Sequence, residues 1–200
     1  KPTMVYLAHG RPLAINWIAQ HIPAIVDGWY TGQEAGNAFA NILFGDTNPS
    51  GKITISYPRS AGQVPVYYNH KPSAQFFSYI TETNRPLFPF GHGLSFTSFS
   101  YSQPVLSSAS MKKNGHVKVS VDVTNTGSRK GDEIVQLYIH QKVSSVTRAV
   151  KELKDFARVS LEPGETKTVS FTIDRSKLAF WTREMQYDVE PGKFEIMTGR

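Results

Sequence analysis

The sequence predicts two fold classes in succession, an α/β segment over residues 1–99 and an all-β sandwich over residues 100–200. Three observations carry this reading. Short unbroken apolar runs and one helical period share the first hundred residues, strict apolar–polar alternation begins near Tyr101, and turn strings recur between the alternating runs. A chain of 200 residues, 40% of them hydrophobic, is long enough for one large domain or two small ones and is not that of a disordered protein.

In the first half, Met4–Ala8 is an apolar run closed by Gly10 and Pro12, and Ala24–Tyr30 is a second, as in buried strands of a parallel sheet. Ile15–His21 between them supplies a short helix. Thr31 and Glu34 have the spacing of a capping box, so a helix is expected to start there. Its apolar positions Ala35, Ala38, Phe39, Ile42 and Leu43 recur at steps of three and four, and Gly45 and Pro49 stop it. Ile53, Ile55 and Tyr57 alternate as a strand would, and residues 61–87 have no clear period and read as an irregular connection. About three strands and one or two helices cannot cover both faces of a parallel sheet, so this half is expected to end a domain begun upstream.

In the second half, Val117, Val119, Val121 and Val123 alternate with polar residues before the turn Asn125-Thr126-Gly127. Val135, Leu137 and Ile139 alternate next, Val159 and Leu161 lead into Glu162-Pro163-Gly164-Glu165, and Val169, Phe171 and Ile173 follow. A last strand, Phe194–Met197, comes after Glu190-Pro191-Gly192. This pattern indicates an antiparallel sandwich of immunoglobulin or fibronectin type III kind.

The net charge of +6 does not mark a nucleic-acid site. Residues 1–100 carry six basic and four acidic side chains and residues 101–200 carry sixteen and twelve, so the excess is interleaved with acids, as in Lys151-Glu152-Leu153-Lys154-Asp155. The absence of cysteine excludes disulfides, thiolate metal sites and a cysteine nucleophile in this chain. No apolar run approaches the roughly 20 residues that span a bilayer, and the N-terminus has no signal-peptide pattern, which is uninformative for a piece whose signal would lie upstream.

Each candidate for chemistry has a plainer alternative. The string from Gly45 to Lys52 resembles a phosphate loop, yet five residues separate its glycines, Ile53 stands where Ser or Thr is needed, and it follows a helix, so a structural turn is favoured. His9, His21, His70, His92, His116 and His140 are scattered without metal-ligand spacing. Gly91-His92-Gly93-Leu94-Ser95 lacks the Gly-x-Ser-x-Gly order of a nucleophile elbow and reads as a tight loop. Among carboxylates, Asp27, Glu34 and Asp46 sit near element ends where a cleft could form, but they also suit a turn former, a cap partner and a helix-end turn residue. Trp29 and Tyr30, at a strand's C-terminal end, suit a sugar cleft or, with more weight, an interdomain seam. These residues alone name no reaction.

The strings themselves carry a resemblance. Gly10-Arg11-Pro12-Leu13, the run from Trp29 to Ala38, Leu43-Phe44-Gly45-Asp46, Asn48-Pro49-Ser50-Gly51-Lys52, Tyr57-Pro58-Arg59-Ser60, the run from Pro65 to His70 and the run from Phe88 to Ser95 stand in the order found in glycoside hydrolase family 3. Val123–Gly127, Val135–Ile139 and Leu161–Thr166 are similar to the fibronectin type III-like domain that ends many of its members. The chain thus resembles the C-terminal part of that family, a truncated α/β sandwich domain with a mostly parallel sheet (1–99) followed by the β-sandwich (100–200), and is most similar to bacterial periplasmic β-glucosidases.

That resemblance implies a parent enzyme that removes terminal β-glucosyl residues with retention and needs no metal or organic cofactor. Its aspartate nucleophile belongs to an upstream barrel and its acid/base glutamate to the sandwich domain before Lys1, so no residue here is expected to be catalytic, and no substrate-binding residue is assigned. Partners implied are the upstream barrel and sandwich domains and a β-glucoside or oligosaccharide substrate, with no nucleic acid or membrane, in a periplasmic or secreted setting. Rivals are a β-xylosidase or other exo-glycosidase, and a non-catalytic carbohydrate-binding or interaction module. The sequence departs from the family pattern at His9 (Asn is frequent), Ala35 (Gly is frequent) and Thr81 (Asp is common, which weakens a substrate role for its loop). It stops at Arg200, where relatives continue into a last strand.

Overall fold

The computed structural model describes residues 1–72 and 79–199. The chain divides into two compact units, one of Lys1–Tyr68 with Gln75–Gly93 and one of Asn69–Ala74 with Leu94–Arg200.

In the first unit, β1 (Met4–Leu7) and β2 (Ala24–Asp27) pair in parallel, with Leu7 opposite Asp27. Helix α1 (Asn16–His21) connects them, and its neighbour Ile15 is buried. The apolar run expected to extend to Tyr30 leaves the sheet at Asp27, because Trp29 adopts a left-handed backbone (φ 51°) that no strand accommodates. Helix α2 (Ala35–Leu43) has the expected amphipathic spacing and stops where Gly45 takes φ 82°.

Its expected capping box does not form. The helix starts at Ala35 after a turn in which the Ala35 amide donates to the Gly32 carbonyl. The Thr31 hydroxyl pairs instead with that of Tyr6 (2.9 Å), and the Glu34 carboxylate accepts from the Asn37 amide (2.5 Å).

Residues 53–57 also depart from expectation, since they form no continuous strand. Ile53 exchanges hydrogen bonds with Gly91 and His92, and Tyr57 with Leu87 and Phe88, each with backbone atoms. Between these anchors the Ser56 hydroxyl accepts from the Phe90 amide (3.1 Å), so a side chain occupies a donor that a ladder would use. The irregular connection contains a 3₁₀ turn at Ala61–Gln63, and residues 73–78 lie outside the described residues.

The second unit is a β-sandwich. In one sheet β5 (His116–Asn125) pairs along one edge with β3 (Phe99–Tyr101) and β4 (Val105–Leu106), and along the other with β8 (Thr166–Asp174). In the other, β6 (Gly131–Gln141) lies between β7 (Glu152–Leu161) and β11 (Phe194–Gly199), with a bulge at Leu137/Tyr138. Every pairing is antiparallel. The alternation read from the sequence sends Val119, Val121, Val123, Val135, Leu137, Ile139, Val169, Phe171 and Ile173 into one core shared by both sheets. Fully burying such a side chain contributes about 1.5 to 3 kcal/mol.

Two small features complete this unit. Asp174 caps helix α3 (Arg175–Leu178) by accepting from the Ser176 and Lys177 amides, and a short ribbon of β9 (Phe180–Trp181) and β10 (Tyr187–Asp188) follows.

Candidate functional site

The parallel register places the C-terminal ends of β1 and β2 side by side, with the Gly28 amide donating to the Leu7 carbonyl (2.9 Å). This edge is where open α/β sheets bind ligands. It gathers four side chains from three separate stretches of the sequence: His9, Asp27 with Trp29, and Tyr57.

Tyr57 is 2% exposed, and its hydroxyl donates to Asp27 Oδ2 at 2.6 Å. His9 Nε2 lies 3.0 Å from Asp27 Oδ1 and 2.9 Å from the Tyr57 oxygen. Because the single hydroxyl proton of Tyr57 is committed to Asp27, the contact with Nε2 requires that nitrogen to donate, which fixes the proton on Nε2. Burial, together with the Asp27 carboxylate as acceptor and neighbouring charge, pushes the Tyr57 phenol far above its ordinary range, so it stays protonated.

His9 Nδ1 is buried and has no hydrogen-bond partner among the described residues. The Trp29 ring packs 4.9 Å from the imidazole, and the left-handed backbone of Trp29 marks a conformation held by its surroundings.

Chemically this is a held carboxylate. Both Asp27 oxygens are engaged by hydrogen-bond donors, which suits a structural node and not a group that must attack or protonate a substrate. Glu34 and Asp46 are exposed, and no hydrogen bond or ion pair among the described residues joins either to Asp27. Of the two aromatic candidates, Trp29 enters the cluster, while Tyr30 is exposed and lies across Gly10. Tyr57, read as a strand residue and as part of the Tyr57-Pro58-Arg59-Ser60 string, is the member for which spacing offered no chemical role.

The other candidates take structural places. The Gly45–Lys52 string is anchored where the Ile53 amide donates to the His92 carbonyl, and the Lys52 ammonium donates to the Gly93 carbonyl at 3.3 Å. A lysine so placed is bound to backbone, as the structural-turn reading requires. His21 stacks on Trp17, His92 on Phe88, and His140 lies 3.9 Å from Glu195. Among the described residues no three His, Asp or Glu side chains are grouped to hold a metal ion, and no helix is long and apolar enough to cross a membrane.

Residues 1–96 match the glycosyl hydrolase family 3 C-terminal domain and residues 133–200 the fibronectin type III-like domain. The whole chain is 49% identical to part of a periplasmic β-glucosidase of Salmonella typhimurium, covering 27% of that protein, and 49% identical to part of a β-xylosidase of Formosa agariphila, covering 28%. Among solved structures, 98% of the chain superposes on 26% of a β-glucosidase from Erythrobacter marinus with a TM-score of 0.94 and 44% identity. All of it superposes on 29% of a β-glucosidase from Listeria innocua in complex with isofagomine, with a TM-score of 0.93 and 33% identity. The chain therefore spans less than a third of the length of each of these relatives.

Proposed function

Since the chain belongs to glycosyl hydrolase family 3, as its C-terminal part, we propose that the longer protein carrying it hydrolyses terminal, non-reducing β-linked glucose from β-glucosides by retaining double displacement. The observation that carries this reading is the 49% identity to a periplasmic β-glucosidase along the entire chain. Retaining hydrolysis requires a nucleophilic carboxylate and an acid/base carboxyl about 5 to 5.5 Å apart on opposite sides of the scissile bond. Both are assigned to upstream polypeptide, a barrel and the earlier part of the α/β domain. This chain has no catalytic residue and serves as scaffold and cleft support, with a domain boundary at 99/100. A periplasmic or secreted location follows the same relative. No metal or organic cofactor enters the chemistry.

The test uses the full-length protein and an aryl β-glucoside. Turnover with retention is expected, and Glu34→Gln, Asp46→Asn and Asp27→Asn should each keep kcat within about tenfold, less than about 1.4 kcal/mol of barrier. A loss of a thousandfold or more in a correctly folded variant would give that carboxylate a catalytic role and overturn the assignment. The equal identity to a β-xylosidase favours a second reading, in which xylose replaces glucose. The ratio of kcat/KM for aryl β-glucoside and aryl β-xyloside separates the two.

A further inference from the structure

The second unit carries an aromatic feature that the core does not use. Trp181 and Tyr187 face each other across the β9–β10 ribbon, with ring centroids 5.6 Å apart and planes at 56°, and both remain more than half exposed. Their backbone is fixed. Thr182 and Gln186 close the turn (2.9 Å), the Met185 amide donates to the Thr182 carbonyl, and the adjacent Phe180 is buried beneath the Arg148 guanidinium at 4.0 Å. Two large rings are therefore presented to solvent at little further entropic cost.

Tyr187 also forms one wall of an open cleft of about 420 Å³ whose other walls include Asn114, Asp174, Arg175 and Ser176. This volume lies in the range of small-molecule sites. Arg175 is held in place by donating to Asp188 Oδ1 (3.2 Å) and to the Tyr187 carbonyl (3.3 Å), and Lys113 pairs with the other oxygen of Asp188. The lining holds one cation, Arg175, and one anion, Asp174, so the cleft favours a neutral ligand over a phosphate or polyanion.

A ligand suited to this place needs a flat apolar face for the rings and hydroxyls for the polar wall. A β-linked glucose unit has both, because its equatorial hydroxyls leave the C–H faces of the ring bare. We propose that Trp181, Tyr187 and the adjoining cleft form an accessory binding site for neutral β-glucan chains, separate from the bond-cleaving centre. The ligand class rests on the β-glucosidase reading; the geometry of the site does not.

The experiment is affinity electrophoresis of the full-length protein in native gels containing hydroxyethyl cellulose, with load normalised to the concentration of folded protein. Retardation is expected, weakened at least fivefold by Trp181→Ala and by Tyr187→Ala, and retained by Trp181→Phe, which keeps a flat ring. Phe156→Ala, which removes an exposed ring on β7, should match the parent. Absence of retardation, equal retardation in the alanine variants, or a loss that Trp181→Phe or Phe156→Ala shares would each overturn the site. Retardation without aryl β-glucoside turnover would remove the preceding reading and leave this one standing; turnover without retardation would do the reverse.

Discussion

Tyr57 is almost wholly buried, and its hydroxyl proton goes to the partly buried Asp27 carboxylate. Tyr57→Phe keeps the ring packed and removes the donor. Hydrogen bonds to charged groups contribute about 1.5 to 3 kcal/mol, so the first unit should lose about 2 kcal/mol, read as a lower urea midpoint by Trp29 fluorescence in a background with Trp17 and Trp181 replaced by Phe. An unchanged midpoint would show that Asp27 does not depend on this donor. None of this was visible in the spacing of the residues. His9, Asp27 and Tyr57 are separated by 18, 30 and 48 positions, and only the parallel register of β1 with β2 and the bridge from Tyr57 to Phe88 bring them together. Asp27 was selected as an element-end carboxylate, but its role required knowing what faced it.

Among the elements, period-two strands were the most readable. The alternation along β5 and β8 is imposed by a core on one face and solvent on the other, so it appears directly in the order of residues. Elements decided by competition for hydrogen bonds were less so. The start of α2 shifted because Tyr6 took the Thr31 hydroxyl, and the strand expected at residues 53–57 broke where Ser56 took the Phe90 amide.

The loop at Gly93 is of the same kind. A Cβ there would run into the Gly51 carbonyl, so the glycine permits two backbone segments to touch. Gly93→Ala should cost about 1 to 3 kcal/mol through forced displacement of one segment, measurable as a lower thermal midpoint of the first unit. The Lys52 contact to the Gly93 carbonyl should be lost with it.

At the scale of the whole molecule the two units differ in how they are held. The buried apolar cluster lies in the second, where both sheets contribute to it, whereas the first buries Ile15 and Tyr57 and leaves β1 and β2 only partly covered. Amides of Val119 and Val121 should therefore exchange slowest and those of β1 and β2 much earlier, giving two kinetic classes by hydrogen exchange. A single class would mean that the chain opens as one cooperative body. This contrast was foreseeable from the sequence, because one or two helices cannot cover both faces of a short parallel sheet.

The path of the backbone adds one more consequence. Residues 69–74 are grouped with the second unit and 75–93 with the first, so the polypeptide passes from one to the other three times, and the His70 carbonyl accepts from the Val150 amide. A protease cutting once near residue 95 would nick the molecule without freeing the sandwich whole, since the detached front piece would still hold the stretch that satisfies Val150.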